Sequence, residues 1–282
     1  MLNQQTQQAK AKQLHQLHHN NQMLVLPNIW DTLGAALLED SGYAAVATAS
    51  ASIAFANGYD DGEQIPFDDL LRILTKIAGS VNIPVTADIE SGFSNSLTGL
   101  KENIIKVINT GVVGINIEDF DNQTNTLFDI ETQYKKIALI KQTAAEMKIP
   151  LFINARTDVY IEPNSNATAT EKLNETLKRG QAYINAGADG FYPIAVKKEY
   201  DIQYLVSSLP CPVNILATQG VPDLVTLRNI GVARVSLGPG FLKLALQTMK
   251  DAALKLKAYQ TVDGLQGNDI TGDYLRKLIA KK

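Results

Sequence analysis

The 282-residue sequence predicts an α/β fold, a TIM-type (β/α)8 barrel with extra N- and C-terminal helices. Three observations point to it. Short apolar runs typical of strands recur eight times, segments with helical spacing separate them, and glycine follows several of the predicted helices. Near-continuously apolar strands that alternate with helices are typical of a parallel sheet covered on its outer face. Eight such units in a chain of this length favour a closed barrel.

The predicted elements follow one another regularly. Leu100, Ile104, Val107 and Ile108 lie on one face of a predicted helix. The segments NTGVVGINIED, NAGADGFYPI and NIGVARVSLG repeat one unit, which is a helix end, a glycine turn and a buried strand. The predicted strands are MLVLP (23–27), YAAVATAS (43–50), IPVTADIE (83–90), VVGINIED (112–119), PLFINART (150–157), ADGFYPIAV (188–196), PVNILAT (212–218) and ARVSLGPG (233–240).

A doubly wound open sheet is the alternative architecture. It would require a glycine-rich fingerprint after the first strand, and LPNIWDTLGAA is not one. Outside the repeat, residues 1–20 predict a helix with frayed ends, and a second helix is expected around Asp273–Lys281, after the helix-breaking GLQGND. No Pro/Ser-rich linker divides the chain, so we expect one domain over residues 1–282.

Composition narrows the function classes. The net charge is −3, so no broad basic surface indicates nucleic acid or an anionic membrane as a partner. The single cysteine, Cys211, excludes an intramolecular disulfide and fits a reducing cytoplasm. The polar N-terminal stretch lacks the apolar core of a signal peptide, and no run of about 18 apolar residues predicts a membrane span.

Acidic residues end two neighbouring strands, where function gathers in such a barrel. Asp88 and Glu90 lie two residues apart, hence on one face, and Glu118 ends the next strand. Neighbouring strands lie about 4.8 Å apart, so these carboxylates converge and repel one another. A divalent cation would compensate them, and oxygen-only ligands favour Mg²⁺ or Mn²⁺. Helix caps and surface loops are the alternative interpretation, and Asp119, which alternates away from Glu118, is expected to be such a surface residue.

The fifth strand ends with Asn154, Arg156 and Asp158 at a spacing of two. Asn154 and Arg156 therefore face the same side. An arginine beside the acids is a ready partner for a substrate carboxylate. A structural ion pair with Asp158 is the alternative.

The segment after the second strand supplies small residues and then an acidic loop. Around Ser50 and Ala51, small side chains let backbone N–H groups approach an anion closely. Asp61 lies in the following GYDDG loop and is in reach of the site. An ordinary acidic turn is the alternative interpretation of that loop.

Together these motifs resemble the isocitrate lyase/phosphoenolpyruvate mutase superfamily, most of all its phosphoenolpyruvate phosphonomutase-like and 2-oxo acid lyase members. TADIESGF, GINIED, INARTD and SASIAFANGYDDGE carry the resemblance, in this order. It extends from LPNIWD to ARVSLGPG and so covers nearly the whole chain.

The resemblance implies a Mg²⁺ ion held directly by Asp88 and through water by Glu90 and Glu118, and a substrate whose 2-oxo carboxylate chelates that ion. It matches Asp61 to the family's loop aspartate, so the implied catalytic residues are Asp61, Arg156 and Glu118. The candidate substrate-binding residues are Ser50, Ala51, Asn125, Asn154, Arg156, Asn214 and Ser236.

One loop departs from the family's patterns. The isocitrate and methylisocitrate lyases carry a Lys-Lys-Cys-Gly-His motif after the fourth strand, and here EDFDNQTNTLFDIETQ has neither Cys nor His. The usual tricarboxylate lyase reaction is therefore not expected. The mutase and phosphonopyruvate hydrolase loop carries Lys-Thr-Asn, and here Gln123-Thr124-Asn125 lacks the lysine, which weighs against phosphoryl transfer.

The expected chemistry is loss of the C3 substituent of a small 2-oxo acid, leaving a Mg²⁺-stabilised enolate. Decarboxylation of an oxaloacetate-like acid suits a site without a thiol, because CO₂ needs no general acid to leave. Within the family, carbon–phosphorus chemistry on phosphonopyruvate or phosphoenolpyruvate is the alternative.

Two interpretations come from other classes. A Schiff-base aldolase would use Lys197 or Lys198 after the sixth strand, although VKKEY is typical of a solvated helix start. A catalytically idle barrel would act as a binding or assembly protein. The resemblance also implies a homo-oligomer, a tetramer or dimer with possible exchange of a C-terminal helix, and a gating role for the loop at 119–131.

Overall fold

The computed structural model describes residues 3–20, 22–163, 165–265 and 267–280, and every predicted strand segment contains a strand. The strands are β1 (Leu24–Leu26), β2 (Asn28–Ile29), β3 (Val46–Thr48), β4 (Val85–Asp88), β5 (Gly114–Glu118), β6 (Phe120–Asp121), β7 (Thr126–Leu127), β8 (Phe152–Thr157), β9 (Gly190–Pro193), β10 (Asn214–Leu216) and β11 (Arg234–Ser236).

Helices alternate with these strands and cover the outside of the sheet. They are α1 (Gln4–His19), α2 (Thr32–Asp40), α3 (Ser50–Ala56), α4 (Phe67–Ser80), α5 (Leu97–Asn109), α6 (Ile130–Glu146), α7 (Ala169–Asn185), α8 (Glu199–Ser208), α9 (Leu224–Ile230), α10 (Gly240–Lys257) and α11 (Gly272–Ile279), with a 3-10 turn at Asp263–Leu265.

The parallel strands form a closed ring, which confirms the predicted (β/α)8 barrel. Six strands follow in the order β2-β3-β4-β5-β8-β9, and three in the order β1-β11-β10. A parallel bridge between Phe191 and Val213 joins β9 to β10. The ring closes through the first strand, because β1 pairs with β11 and β2 pairs with β3.

The first strand is interrupted at Pro27, which has no backbone N–H to donate. Asn28 bridges the interruption. Its Oδ1 accepts hydrogen bonds from the backbone N–H groups of Leu237 (2.8 Å) and Gly238 (3.1 Å), and its Nδ2 donates to the Thr48 carbonyl oxygen (2.8 Å). The side chain of Asn28 thus connects β2 to β3 and to the residues that follow β11.

Helix α1 seals the end of the barrel at which the strands begin. Gln7 donates to the carbonyl oxygens of Ile108 (2.7 Å) and Val112 (3.0 Å), and Lys10 donates to that of Val81 (2.7 Å). His18 stacks on Phe152 with ring centroids 3.8 Å apart. The predicted N-terminal helix is therefore confirmed, and its polar face binds backbone carbonyls that precede the strands.

The C-terminal helices differ in how they pack. In α11 the Tyr274 hydroxyl and the Lys277 ammonium donate to the carboxylate of Asp40 in α2, at 2.9 and 2.8 Å. The predicted end of this helix at Lys281 lies outside the described residues. Helix α10 instead exposes a set of large apolar side chains, which are Leu244, Leu246, Met249, Leu254 and Leu256.

A short antiparallel hairpin, β6–β7, occupies most of the segment 119–131, which was expected to be a gating loop. Its turn carries Asn125 at φ 57°, a left-handed conformation that asparagine tolerates better than most residues. Within the described ranges, no helix is both long enough and apolar enough to cross a membrane.

Candidate active site

The three predicted metal-binding carboxylates come together where β4 and β5 end. Asp88 ends β4, Glu90 follows in the turn at φ 50°, and Glu118 ends β5. All three residues are buried. Burial, then the charges of Asp61 and Asp88, raises the pKa of Glu90 to about 8. Burial likewise raises the pKa of Glu118 well above its ordinary value, against the opposing charge of Arg156. The cluster therefore holds more carboxyl groups than Arg156 alone can balance, and without a cation Glu90 and Glu118 favour their protonated forms.

Asp88 is held from β3 but keeps one free oxygen. Its backbone N–H donates to Thr48 Oγ1 (3.1 Å), and its Oδ2 accepts from Ser50 Oγ (3.2 Å). Its Oδ1 is buried and has no hydrogen-bond partner in the described part of the chain. Ala51 follows Ser50 in the first turn of α3, where backbone N–H groups have no partner within the helix.

Arg156 is fixed between two carboxylates. Its Nη1 lies 2.8 Å from Glu118 Oε2, and its Nε and Nη2 donate to Asp158 at 2.6 and 2.7 Å. Burial opposes the charge on Arg156, but Asp158 and Glu118 outweigh it and raise its pKa well above the ordinary value. The ion pair with Asp158 is present, and Arg156 also faces the acidic cluster.

The expectation that Asp119 is a surface residue is wrong, because its side chain is fully buried on the other side of β5. Its carboxylate accepts hydrogen bonds from Thr157 Oγ1 (2.7 Å), the Asp158 backbone N–H (2.9 Å), Arg179 Nη1 (3.0 Å) and the Tyr183 hydroxyl (2.6 Å). Alternation along the strand placed it on the outer face, where a helix covers it rather than solvent.

A buried polar layer lies inside the barrel and contains three predicted substrate-binding residues. Asn154 Nδ2 donates to Asn116 Oδ1 (2.8 Å), and Asn214 Nδ2 donates to Ser236 Oγ (3.0 Å). Arg234 connects the two pairs, because its Nε lies 3.2 Å from Ser236 Oγ and its Nη2 lies 3.4 Å from Asn116 Oδ1. Asn154, Asn214 and Ser236 are thus bonded to neighbouring side chains in the barrel interior.

Sequence reasoning missed Asn116 and Arg234, although the period of two contained the signal. Asn116 lies two residues before Glu118, and Arg234 lies two residues before Ser236, so each shares a face with a predicted residue. Arg234 is completely buried, burial lowers its pKa to about 10, and its Nη1 has no hydrogen-bond partner among the described residues.

The loop between α3 and α4 carries one predicted and one missed residue. The pKa of Asp61 is raised by burial and then by the charge of Asp88, which places the Asp61 carboxyl group near the cluster. Glu63, which was not predicted, contacts the turn after β4 through Ser91 and Phe93. Its loop has no sequence period that could have identified it.

Asn125 is not brought to the carboxylates by any contact in the described structure. It lies exposed in the turn of the hairpin, where its backbone N–H donates to the Asp121 carbonyl oxygen at 2.8 Å. Its predicted role in substrate binding stays a prediction.

Two observations fit a divalent cation at the cluster. Asp88 Oδ1 is buried without a partner among the described residues, and burial together with neighbouring negative charges raises the pKa of Glu90 and of Glu118. In the described ranges, no three His, Cys, Asp or Glu side chains converge closely enough to coordinate one ion together. The arrangement therefore fits one direct carboxylate, with the others reaching the ion through water.

Comparison with known proteins finds relatives that are lyases and mutases, or that have no assigned activity. Residues 14–257 match the phosphoenolpyruvate phosphomutase family. An uncharacterized protein of Mycobacterium tuberculosis H37Rv is 32% identical over 226 residues, which cover 79% of this chain and 81% of the relative. A 2-methylisocitrate lyase of Bacillus subtilis is 26% identical (74% and 67% covered), and an oxaloacetate decarboxylase of Ectopseudomonas mendocina is 27% identical (77% and 73% covered).

A crystal structure from Burkholderia cenocepacia J2315, of a protein provisionally named a phosphonomutase, is similar throughout. It superposes with a TM-score of 0.82 at 35% identity, covering 89% of this chain and 99% of that one. The family match covers most of the chain and includes every parallel strand and the carboxylate cluster. The chain therefore belongs to the phosphoenolpyruvate phosphomutase family, in the superfamily of lyases and mutases that its motifs resemble.

Proposed function

We propose that the protein is a Mg²⁺-dependent lyase that removes the C3 substituent of a small 2-oxo dicarboxylic acid, with decarboxylation of oxaloacetate as the leading reaction. The observation that carries the proposal is the buried group of Asp88, Glu90 and Glu118 at the ends of β4 and β5, in which Asp88 Oδ1 has no partner among the described residues. Burying several carboxyl groups together costs free energy, and a bound cation would offset that cost.

The proposal assigns roles to residues already placed. Asp88 would hold the ion directly, and Glu90 and Glu118 would hold it through water. The ion would supply Lewis acidity at the 2-oxo group. Arg156, fixed by Asp158, orients Glu118 and presents positive charge on the side where the substrate's carboxylate binds.

Further residues enclose the substrate. Ser50 Oγ and the backbone N–H of Ala51 lie beside Asp88 and are assigned to the carboxylate next to the 2-oxo group. Asp61 is assigned to the catalytic group from its loop, because the charge of Asp88 contributes to its raised pKa. Asn154, Asn214 and Ser236 support the site from below through the buried polar layer.

Decarboxylation fits the absence of a thiol from the loop after β5. The single cysteine, Cys211, precedes β10, where its thiol lies 3.6 Å from the Pro212 carbonyl oxygen. Burial raises its pKa to about 12, so it is protonated and unreactive at neutral pH. An overall reaction that converts oxaloacetate to pyruvate and CO₂ requires only a proton to complete it, and water can supply that proton.

Carbon–phosphorus chemistry is the second candidate function. The family match and the Burkholderia structure, at 35% identity, support it, and Thr124 and Asn125 remain in the hairpin. Against it stands Gln123, where the mutase loop has lysine. A Schiff-base mechanism has little support, because Lys197 and Lys198 are exposed at the start of α8.

The first experiment measures pyruvate release from oxaloacetate with Mg²⁺, for the wild type, Asp88→Asn, and the wild type in EDTA. Free Mg²⁺ decarboxylates oxaloacetate slowly, so the variant is the necessary control. Loss of activity in both the variant and EDTA is the expected result. Equal rates in both proteins would exclude oxaloacetate, and release of phosphate or phosphoenolpyruvate from phosphonopyruvate would then establish the second candidate. Failure of the wild type to bind Mg²⁺ at all would favour an idle binding barrel.

We further propose that the protein acts in the cytoplasm as a homo-oligomer, a tetramer or dimer, in which α10 packs against a second copy. The exposed apolar side chains of α10 support this assembly. Light scattering coupled to size exclusion tests it, since Leu246→Glu with Met249→Glu should lower the molar mass to that of a smaller assembly.

A further inference from the structure

Glu63 connects two segments on the open end of the barrel, in both directions. Its Oε1 accepts hydrogen bonds from Ser91 Oγ (2.7 Å) and from the Phe93 backbone N–H (2.7 Å), both in the turn after β4. In return, the backbone N–H of Glu63 donates to Glu90 Oε2 in the same turn. The loop that carries Asp61 is therefore hydrogen-bonded to Glu90, which is assigned to cation binding.

The backbone at this connection adopts conformations that side-chain-bearing residues avoid. Glu63 has φ 61°, Glu90 has φ 50° and Phe93 has φ 54°. L-residues other than asparagine and aspartate rarely adopt the left-handed region, which costs free energy that surrounding contacts can offset. The hydrogen bonds supply that restraint: two, from Ser91 and Phe93, end on the Glu63 carboxylate, and one joins the Glu63 backbone to Glu90. Loss of the Glu63 carboxylate should therefore release both segments.

The ammonium group of Lys136 is buried and interacts electrostatically with Glu63. Lys136 Nζ lies 4.1 Å from the centroid of the Phe128 ring and has no hydrogen-bond partner in the described structure. Burial lowers the pKa of Lys136 to about 8, and the charge that most opposes this is that of Glu63. The positive charge of Lys136 thus favours the docked position of the Glu63 loop without bonding to it.

The β6–β7 hairpin contacts the other side of the loop that carries Asp61 and Glu63. Gly62 lies against Asn122 of the hairpin, because a Cβ on Gly62 would lie 3.2 Å from Asn122 Oδ1. The loop of residues 57–66 therefore packs between the β4 turn on one side and the hairpin on the other.

We propose that Glu63 is a positioning residue that couples docking of the Asp61 loop to the orientation of Glu90. The inference rests on the proposed function, which gives Glu90 its part in cation binding. Cation binding at the carboxylates and docking of the loop then favour each other, since coupling between two sites is reciprocal. The loop closes most firmly when the cation is present.

The test uses the full-length chain with Glu63→Ala and, as a matched control, Asp60→Asn. Asp60 lies exposed in the same loop, and its carboxylate accepts from the Asp61 backbone N–H. Hydrogen–deuterium exchange is measured in EDTA for residues 58–65 and 89–93, and Mg²⁺ affinity is measured by calorimetry. We expect Glu63→Ala to accelerate exchange in both segments and to raise the Mg²⁺ dissociation constant about 10- to 100-fold, as for other residues that orient metal ligands. Asp60→Asn should leave both unchanged.

Ser91→Ala provides a second variant should Glu63→Ala fail to fold. It removes one of the same hydrogen bonds from the opposite side, and should shift both readouts in the same direction by a smaller factor. Faster exchange confined to the loop, with residues 89–93 and the Mg²⁺ affinity unchanged, would overturn the coupling. A wild type that does not bind Mg²⁺ would refute the proposed function instead, and exchange at residues 89–93 in EDTA would still decide whether Glu63 holds the turn.

Discussion

Two carboxylates that are adjacent in sequence, Glu118 and Asp119, occupy opposite electrostatic environments. Asp119 faces outward from β5 and accepts four hydrogen bonds, one of them from the Arg179 guanidinium. Glu118 faces the barrel interior, where its carboxylate has Arg156 as its cation and shares the space with Asp88 and Glu90. We call Asp119 with its donors the outer cluster, and Asp88, Glu90 and Glu118 the inner cluster. The carboxylate of the outer cluster accepts hydrogen bonds from four donors, whereas Asp88 Oδ1 of the inner cluster has none among the described residues. A satisfied buried acid stabilises the fold, whereas an unsatisfied one indicates a ligand.

The largest expected effect concerns stability and the outer cluster. Asp119→Asn removes the buried charge paired with Arg179 and leaves it only the partly exposed Glu175, so the free energy of unfolding should fall by about 3–5 kcal/mol. Urea unfolding followed by circular dichroism and fluorescence measures it. Asp121→Asn, in the partly exposed hairpin, is the control and should change little. An equal loss in both variants would remove the distinction between a saturated acid and an ordinary one.

The inner cluster should show the reverse, a loss of activity without a loss of stability. Asp88→Asn should lower kcat/KM by about 10²–10³-fold, while the melting temperature in EDTA stays the same or rises, because one of several repelling charges is gone. Steady-state kinetics and thermal unfolding test the two parts. A strong drop in melting temperature would show that Asp88 is structural, like Asp119.

A smaller change sharpens the account of the outer cluster. Tyr183→Phe removes one donor to Asp119 and leaves the charge of Arg179 in place. The expected loss of unfolding free energy is about 1.5–3 kcal/mol, the range for a hydrogen bond to a charged group. Catalytic constants should not change. If kcat falls as well, the outer cluster contributes to the chemistry and the separation fails.

The smallest effect is the pH dependence of stability that comes from His18, at the sealed end of the barrel. It tests whether the loss of stability in acid comes from this histidine or from the two groups of buried carboxylates. Burial lowers the pKa of His18 to about 3, so the unfolded chain binds a proton at that side chain between about pH 6.5 and 3 while the folded chain does not. Stability is therefore full above pH 6.5 and is lost as the pH falls, by about 1 kcal/mol between pH 6 and 5. His18→Phe, which keeps an aromatic ring against Phe152, should flatten this part of the profile. An unchanged profile would assign the acid sensitivity to other groups.

The barrel and the inner cluster were predictable because both depend on local periods. Alternation of apolar strands with helices indicated the fold, and the period of two placed Asn154 with Arg156, whereas Glu90 reaches Asp88 from the turn after β4 rather than along the strand. The roles of Asp119 and Glu63 were not predictable in this way. Arg179 and Tyr183 lie 60 and 64 residues after Asp119, and no spacing along one strand identifies partners on a distant helix. Alternation states which face a side chain occupies, but not whether that face is covered.

The side chain of Asn28 has a consequence for how the protein is made. Its carboxamide oxygen accepts from Leu237 and Gly238, which follow it by 209 and 210 residues. During synthesis, the first strand therefore leaves the ribosome long before the strand that completes its pairing. Until Leu237 emerges, one edge of the nascent sheet stays open, and an open edge can pair with another chain. Any interruption of translation before this point leaves a chain whose barrel has no final strand to close it.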